Sequence, residues 1–489
     1  MYITSIPLLL SSKVKENELR ILVKKNNVEY SYGEILANSK CVKSYIEGAN
    51  IPRGSHIGIC LNNGLEFIYC LFGIWLSGRV PVPLPYNHSE LELNNAIKFH
   101  DLAYVLSQKQ IEQIDFTVAD DGYETEAEAC ESTNELALLL PTSGSTGNPK
   151  TVMLSHGNII SNAIAHGKKA NLKNIGSILI TMPMHFSSTI VTQILSCIIY
   201  RTTLHILEYP IFTRKIIDLV NKEKIAAIAA VPTTIYLLID EYNKNKVKLH
   251  SFELIIISGA SLRTSAAEIL RDICPNADIV ITYGLTEASP RISMMARGER
   301  KLSSGKPVEN VEVIVKEDDN YETNGRNKIG RIYAKGPNIM MGYYKNEKLT
   351  RQIMKDGWLD TEDLGYIDEE GDLHVVGRNK NIIIVGGINV YPEETEEFYL
   401  GFDEIQEIIV ISISDQTYGE APVGVVRVRE GHSITTQDLT RMAFGKLSVH
   451  KIPKKWIFSD DPLPKTVTGK YQRNLIKNMF LNTDRRQYE

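Results

Sequence analysis

Short β-branched runs alternate with helix-length stretches through the first half of this chain, and that alternation restricts the fold more than any other feature. Ser55-His-Ile-Gly-Ile-Cys60 is followed by the apolar stretch Gly64 to Leu76 and then by Arg79-Val-Pro-Val-Pro-Leu84. The same texture recurs at Ser177 to Thr181, Thr203 to Leu207, Ile225 to Val231, Leu254 to Ser258 and Ile279 to Thr282. Strands joined by helices run parallel, because a parallel pair needs a long crossover that lies on a sheet face. The spacing therefore predicts a large α/β N-terminal domain with parallel-rich sheets. After Lys301 the pattern changes to short alternating runs with polar turns, such as Val311 to Val315 and Arg331 to Ala334, which predicts a β-rich subdomain. The charged turn Gly377-Arg-Asn-Lys380, the apolar run Ile382 to Val385 and Gly386-Gly387 mark a second boundary. Beyond it, Pro392 to Leu400, Ile405 to Ile413, Val423 to Val428 and Thr436 to Leu447 predict a small α+β unit of roughly 110 residues. The expected domains are residues 1–379 and 380–489.

Composition narrows the function. With 489 residues, 43% of them hydrophobic, the chain can bury more than one core. Its 54 Lys and Arg against 59 Asp and Glu give no basic footprint for nucleic acid. Cys41, Cys60, Cys70, Cys130, Cys197 and Cys274 form no C-x-x-C pair, which speaks against a zinc ribbon or a disulfide framework and for reduced thiols. The start, Met1 to Leu10, lacks the basic leader of a secretory signal. Apolar runs such as Ile190 to Tyr200 fall short of the ~20 residues that span a bilayer. A cytoplasmic protein without stable membrane insertion is expected.

The strongest local signal is Leu140-Pro-Thr-Ser-Gly-Ser-Thr-Gly-Asn-Pro-Lys150, which leaves the end of an apolar run. Gly144 and Gly147 would let backbone N–H groups approach phosphate oxygens; Thr142, Ser143, Ser145 and Thr146 add hydroxyls, and Lys150 adds charge. A flexible surface turn is the plain alternative. The spacing fails the Walker A pattern, and Ser143-Gly-Ser145-Thr-Gly147 lacks the first glycine of a serine nucleophile elbow.

Further segments follow in order: Tyr283-Gly-Leu-Thr-Glu287, Gly357-Trp-Leu-Asp-Thr-Glu-Asp363, Gly377-Arg-Asn-Lys380 with Gly386-Gly387, and Pro464-Lys-Thr-Val-Thr-Gly-Lys470. Together with the glycine-rich loop they resemble the acyl-adenylate-forming superfamily, which includes acyl-CoA synthetases, non-ribosomal peptide adenylation domains and beetle luciferases. The resemblance implies ATP and Mg²⁺ as cofactors. A carboxylate attacks the α-phosphate to give acyl-AMP and pyrophosphate, and the acyl group then passes to coenzyme A or to the phosphopantetheine of an acyl or peptidyl carrier protein. It further implies a mobile C-terminal domain.

Carried onto this sequence, the resemblance implies that Thr286 bonds the α-phosphate, Glu287 holds the metal and Tyr283, with Gly284, meets the adenine. Gly259, Ala260 and Ser261 would lie along the adenine, Asp363 would accept the ribose hydroxyls and Arg378 would reach the nucleotide. Lys470 would contact both the carboxylate and the α-phosphate, Lys380 would be the hinge, and Gly386 and Gly387 would line a pantetheine passage. By composition alone, Thr286-Glu287 reads as a helix start, Asp363 and Arg378 as solvated charges, and Lys470 as a surface lysine.

The acid pocket is expected around Met182 to Ser188, Val231 to Tyr236, Ser258 and Leu285, with Phe186, Val231 and Leu285 as lining and His185 as a gate beside the carboxylate. Phe186 occupies the place where amino-acid-adenylating relatives carry an aspartate, so an α-amino acid is disfavoured and a fatty or aryl acid fits. His156 reads as structural. Departures from the family pattern are Thr151 for glycine, Arg331 for glutamate, Glu362 for glycine, Asn381 for aspartate and Ile384 for lysine. Rival readings are a freestanding enzyme loading a separate carrier protein, a luciferase-like oxidative enzyme and a catalytically silent nucleotide-binding scaffold.

Overall fold

The computed structural model describes residues 5–116, 133–142, 150–260, 262–318, 321–322, 327–466 and 469–481. The expected site residues Ser143, Gly144, Ser145, Thr146, Gly147 and Ser261, and also Cys130, lie outside them. The protein is α/β, with a large sheet-rich N-terminal part and a smaller C-terminal part.

The first nine-stranded sheet runs in the order Lys306–Pro307, Arg291–Met294, Asp278–Gly284, Leu254–Ile257, Ala227–Ala230, Ser177–Ile180, Thr203–Ile206, Ile21–Lys25, Val28–Ser31. Its six central strands pair in parallel; five are the β-branched runs from Ser177 to Thr282 that predict this, and the sixth, Ile21–Lys25, is not among those runs. A second parallel set, Val80–Pro83, His56–Cys60 and Leu102–Ser107, has the helix Leu65–Leu76 as its crossover. That helix is buried almost throughout, and Trp75 Nε1 donates to the Ala137 carbonyl at 2.7 Å, tying it to the hairpin of Leu136–Thr142 and Lys150–Ser155. Residues after Lys301 form the expected β-rich layer, a sheet of Tyr321–Glu322, Glu312–Asp318, Gly330–Lys335, Trp358–Ile367 and Met354–Lys355, with Leu373–Arg378 also on Trp358–Ile367.

The helix His156–Lys169 starts on a capping box in which Ser155 and Asn158 satisfy each other's backbone N–H groups. His156 at its first turn accepts from the Ile6 N–H at Nδ1, 3.3 Å, and so fixes the helix Ile6–Asn17 against it. Burial lowers the His156 pKa to about 4, which keeps the ring neutral in this structural contact. The five described cysteines are free thiols. Among the described residues no helix is long and apolar enough to cross a membrane.

From Ile383 onward the chain builds its own sheet: Ile388–Val390, Ile383–Val385, Gly419–Val428 and Ile405–Asp415, with Lys455–Phe458 parallel to Gly419–Val428. The long strand Ile405–Asp415 is apolar on both faces. Ile408 and Val410 join Tyr399 and Trp456 in one cluster, and Ile409 and Ile411 join Leu463 and Ile476 in the other. Within the segment Thr436 to Leu447, one of the signals of the α+β unit, the helix Thr436–Ala443 stops short. Phe444 is extended and Gly445 follows at φ +73°, a left-handed turn that stops the helix.

Arg473 fastens the last helix, Arg473–Leu481, to this sheet: it donates to Glu396 Oε1 at 2.7 Å, the Val410 carbonyl at 2.6 Å and Glu393 Oε1 at 3.1 Å. Glu396 is buried, so burial pushes its pKa up while Arg473 opposes the shift. Arg473→Ala would strand a buried carboxylate and lower the stability of the C-terminal unit by about 3 kcal/mol. A urea titration compared with the native chain measures this loss.

Candidate active site

The carboxyl ends of the central parallel strands open on one side, where an open α/β sheet places its ligand crevice. Ala227–Ala230 leads into Val231, Leu254–Ile257 into Ser258 to Ala260, and Asp278–Gly284 into Leu285 and Thr286. Gly259 has φ +91°, and a Cβ there would lie 3.5 Å from Val231 Cγ1, so these two expected site positions are adjacent.

Asp363 is the anchor of the cleft. Trp358–Ile367 and Leu373–Arg378 pair antiparallel with Asp363 opposite Arg378, so the register itself brings carboxylate and guanidinium together. Arg378 Nε lies 2.9 Å from Asp363 Oδ1, and the Tyr283 hydroxyl donates to Oδ2 at 2.8 Å. Burial raises the Asp363 pKa and the Arg378 charge and Tyr283 hydrogen bond lower it. Asp363 is 6% exposed, so its composition-level reading as a solvated charge gives way to a paired group at the base of the cleft. Glu362, where the family carries glycine, adopts φ +59°, a left-handed conformation costly for a side chain with a Cβ. Its carboxylate is among the charges that act on Arg378 and Lys380.

Thr286 and Glu287 follow Asp278–Gly284 in a single 3-10 turn, Thr286–Ala288, rather than a longer helix. Glu287 Oε1 accepts from the Tyr343 hydroxyl at 2.7 Å, and its carbonyl accepts from the Met340 N–H at 2.9 Å. Thr286 Oγ1 lies 3.4 Å from Ser187 Oγ. Lys150 stands over the Tyr343 ring with Nζ 5.4 Å from the centroid, and Thr142 pairs with Lys150 across the hairpin. Tyr343 is a site residue that the motifs did not reveal, since it meets Glu287 only through the tertiary fold, whereas Ser187 lies in the Met182 to Ser188 segment expected around the acid.

Lys470 reaches the cleft from the other domain. Thr466 N donates to the Lys470 carbonyl at 2.8 Å and Gly469 N to the Thr466 carbonyl at 2.8 Å, which closes a tight turn with Gly469 at φ +79°. A Cβ on Gly469 would fall 2.1 Å from Thr233 Oγ1, so this turn presses on the first turn of the helix Pro232–Asn245. Lys470 is exposed to water, while protein atoms crowd one side of its ammonium. Burial and the like charge of Arg378 lower its pKa, against the pull of Asp363 and Glu287. Arg263 makes a second contact between the domains: its guanidinium lies 4.7 Å from the Tyr236 ring centroid and Nη1 donates to the Leu400 carbonyl at 3.3 Å.

Lys380 sits in the 3-10 turn Asn379–Asn381, between the last strand of the β-rich sheet and Ile383–Val385. Gly386 and Gly387 have φ +59° and +84° at the tip of the next hairpin, which meets Tyr418 of its own sheet. Ile384, 51% exposed, stands on the same hairpin. Asn63 braces the acid-side segment by donating to the Met182 carbonyl at 3.0 Å and accepting from the Met184 N–H at 2.8 Å. His185 packs edge-on to Phe186, centroids 4.5 Å apart, and burial lowers its pKa to about 4, so at neutral pH it is an uncharged neighbour of the pocket. The other departures have local partners: Thr151 Oγ1 is 2.8 Å from His100 Nε2, Arg331 pairs with Asp360 at 2.9 Å, and Asn381 donates to Glu393 at 2.9 Å.

Residues 11–344 match the AMP-binding enzyme family and residues 394–470 match the AMP-binding enzyme C-terminal domain. The chain belongs to the AMP-binding enzyme family. This AMP-binding enzyme is of the acyl- and aryl-CoA ligase kind. It is 26% identical to a putative acyl-CoA synthetase, YngI, of Bacillus subtilis, over 92% of each chain, and 27% identical to the 2-succinylbenzoate–CoA ligase of the same organism, over 92% of this chain and 93% of that one. Its structure matches that of the B. subtilis o-succinylbenzoate CoA synthetase with its acyl-adenylate intermediate, at TM-score 0.84 and 25% identity, over 96% and 97% of the two chains. The fold also matches ATP-bound MatB from Rhodopseudomonas palustris at TM-score 0.89 and 23% identity, over 97% and 99%.

Among the described residues no group of three His, Cys, Asp or Glu side chains forms a metal cage. A lone Glu287 facing a cleft with Lys150, Arg378 and Lys470 instead suits Mg²⁺ that arrives on phosphates and takes a single protein carboxylate. The left-handed Glu362 gives a test of the cleft's backbone. Glu362→Gly relieves the conformational cost and stabilises the enzyme by about 0.5 to 1 kcal/mol, measured by chemical denaturation.

Proposed function

We propose that this AMP-binding enzyme activates a carboxylic acid with Mg²⁺-ATP and then transfers the acyl group to coenzyme A. The observation that carries the reading is the convergence of Lys470, from the C-terminal hairpin, with Asp363, Arg378 and Glu287 of the N-terminal part. That arrangement supports the reading because it gathers cationic groups from both parts of the chain beside one carboxylate pair. The names of the relatives as CoA ligases support coenzyme A as the acceptor.

In the first step a carboxylate oxygen attacks the α-phosphorus and pyrophosphate leaves. Lys470 offsets the charge that builds on the carboxylate and the pentacoordinate phosphorus, a field fixed before reaction and therefore free of solvent reorganisation. Thr286 donates to an α-phosphate oxygen, Glu287 holds Mg²⁺, and the loop Thr142 to Lys150 cradles the departing phosphates. Asp363 accepts the ribose hydroxyls in exchange for its present Tyr283 contact, Arg378 stays beside it, and the adenine lies against Gly259, Ala260, Tyr283 and Gly284. In the second step the thiolate attacks the acyl carbonyl and AMP leaves with the electron pair of the broken C–O bond.

Residues 1–379 and 380–489 act as the two moving bodies, with Lys380 as the hinge and Gly386 and Gly387 as the pantetheine passage of the second conformation. Their exposed hairpin, with Ile384, is then the face that turns toward the cleft. Val231, Leu285 and Phe186 bound the acyl chain, with neutral His185 beside its carboxylate, and the acid is a fatty or an aryl acid.

Lys470→Ala is expected to reduce acid-dependent pyrophosphate release by about 100-fold or more while the far-ultraviolet spectrum is unchanged. Near-native release by a folded variant would remove Lys470 from the chemistry. Lys380→Pro fixes φ at the hinge and should slow thioester formation several-fold more than pyrophosphate release, read from single-turnover rates of the two half-reactions.

A further inference from the structure

Arg263 belongs to the N-terminal part of the chain and grips the C-terminal part by the end of one helix. It lies four residues after Gly259, between the strand Leu254–Ile257 and the helix Thr264–Ile273. Its guanidinium carbon stands 4.7 Å from the centroid of the Tyr236 ring, and Nη1 donates to the Leu400 carbonyl at 3.3 Å. Leu400 is the last residue of the helix Pro392–Leu400. The Phe398 and Tyr399 carbonyls accept from the Gly401 and Phe402 N–H groups, whereas the Leu400 carbonyl turns to the other part of the chain. A helix ends in unpaired carbonyls and the negative pole of its dipole, so a cation placed there gains a hydrogen bond and a favourable charge interaction together. The face of Tyr236 stabilises the same cation from the opposite side. Glu397 adds a carboxylate on the gripped helix: burial and Glu394 raise its pKa, and the Arg263 charge opposes the rise.

That helix connects the grip to the hinge and to Lys470. Its first turn lies at the hinge, where Glu393 Oε1 accepts from Asn381 Nδ2 at 2.9 Å and a Cβ on Gly377 would fall 2.6 Å from Glu393 Oε2. Glu393 and Glu396 hold Arg473, three residues beyond Lys470, at 3.1 and 2.7 Å. The hinge and the Arg263 grip therefore sit at opposite ends of one nine-residue helix, about 13 Å apart, with the support of the Lys470 hairpin between them. A contact far from a pivot resists rotation more than a contact beside it. On the N-terminal side one helix receives both contacts. Thr233, against which the Gly469 turn presses, and Tyr236, beneath Arg263, are three residues apart on Pro232–Asn245 and share a face.

From this geometry we infer that Arg263 is a positioning residue for acyl-AMP formation. By clasping the end of Pro392–Leu400 it holds the C-terminal part where Lys470 enters the cleft, and it releases Leu400 when the second conformation forms. Arg263 touches no reacting atom; it acts on Lys470 through the helix and Arg473. The inference rests on the two-step ligase activity proposed above and deepens it.

The test measures the two half-reactions apart in the native enzyme, Arg263→Met and Arg263→Lys. Adenylation is read as single-turnover pyrophosphate release with acetate, octanoate, palmitate, benzoate and cinnamate. Thioester formation is read as coenzyme A consumption from the synthetic acyl-AMP of whichever acid responds best. Loss of a helix-end hydrogen bond and a cation–π contact predicts that Arg263→Met slows adenylation on the order of 10-fold while KM for ATP stays within about twofold. Thioester formation from the acyl-AMP should run at the native rate or faster, because the second conformation no longer waits for release of Leu400. Arg263→Lys keeps the charge and should recover part of the adenylation rate. If Arg263→Met does not fold, Glu397→Gln, on the exposed side of the gripped helix, should give the same split at a smaller size. Equal loss of both half-reactions, an unchanged adenylation rate, or a raised KM for ATP as the sole change overturns the inference alone. No pyrophosphate from any acid in the native enzyme overturns the ligase reading, and the inference with it.

Discussion

Everything in the cleft depends on the ion pair that buried Asp363 makes with the partly exposed Arg378. Two antiparallel strands present them to each other at one register position, and a slip of one strand by a single residue would turn its side chain to the opposite face of the sheet, away from its partner. Tyr283 closes on the same carboxylate from the end of a different sheet, so one hydrogen bond joins the nine-stranded body to the β-rich layer. The pair also sets the electrostatics that Lys470 meets. Arg378 repels its ammonium and Asp363 attracts it, which makes the approach of the C-terminal hairpin sensitive to whatever anion occupies the cleft. An arriving phosphate would shift that balance toward attraction, a simple physical route from substrate binding to domain closure.

Much of the fold was legible because its signals are periodic. β-Branched runs separated by helix-length segments specify parallel strands, and the outcome follows them from His56–Cys60 to Asp278–Gly284. The middle of the strand Ile405–Asp415, apolar on both faces, is written as the continuous run Ile408 to Ile411. Helix ends were harder to read. The stop at Ala443 turns on Phe444 leaving the helical region and on the left-handed Gly445, a local backbone event that apolar spacing does not encode.

The site was legible in a different way. Ordered motifs located Asp363, Arg378, Glu287 and Lys470, yet nothing in their neighbourhood predicted that Tyr343 would hold Glu287 or that Thr233 would receive the Gly469 turn. These contacts join positions far apart in the chain, and a single sequence carries no trace of them. Departures from the family pattern are also clearer in three dimensions. Thr151 gains a buried partner in His100, whereas Glu362 keeps a conformation that glycine would adopt without strain.

The two-step ligase account is tested most directly by one mass balance. The enzyme is incubated with Mg²⁺-ATP, coenzyme A and a panel of mono- and dicarboxylic acids, and pyrophosphate, AMP and acyl thioester are quantified together. The account predicts acid-dependent formation of all three in equimolar amounts. Release of ADP and phosphate instead, or pyrophosphate and AMP with coenzyme A left unconsumed, would contradict it.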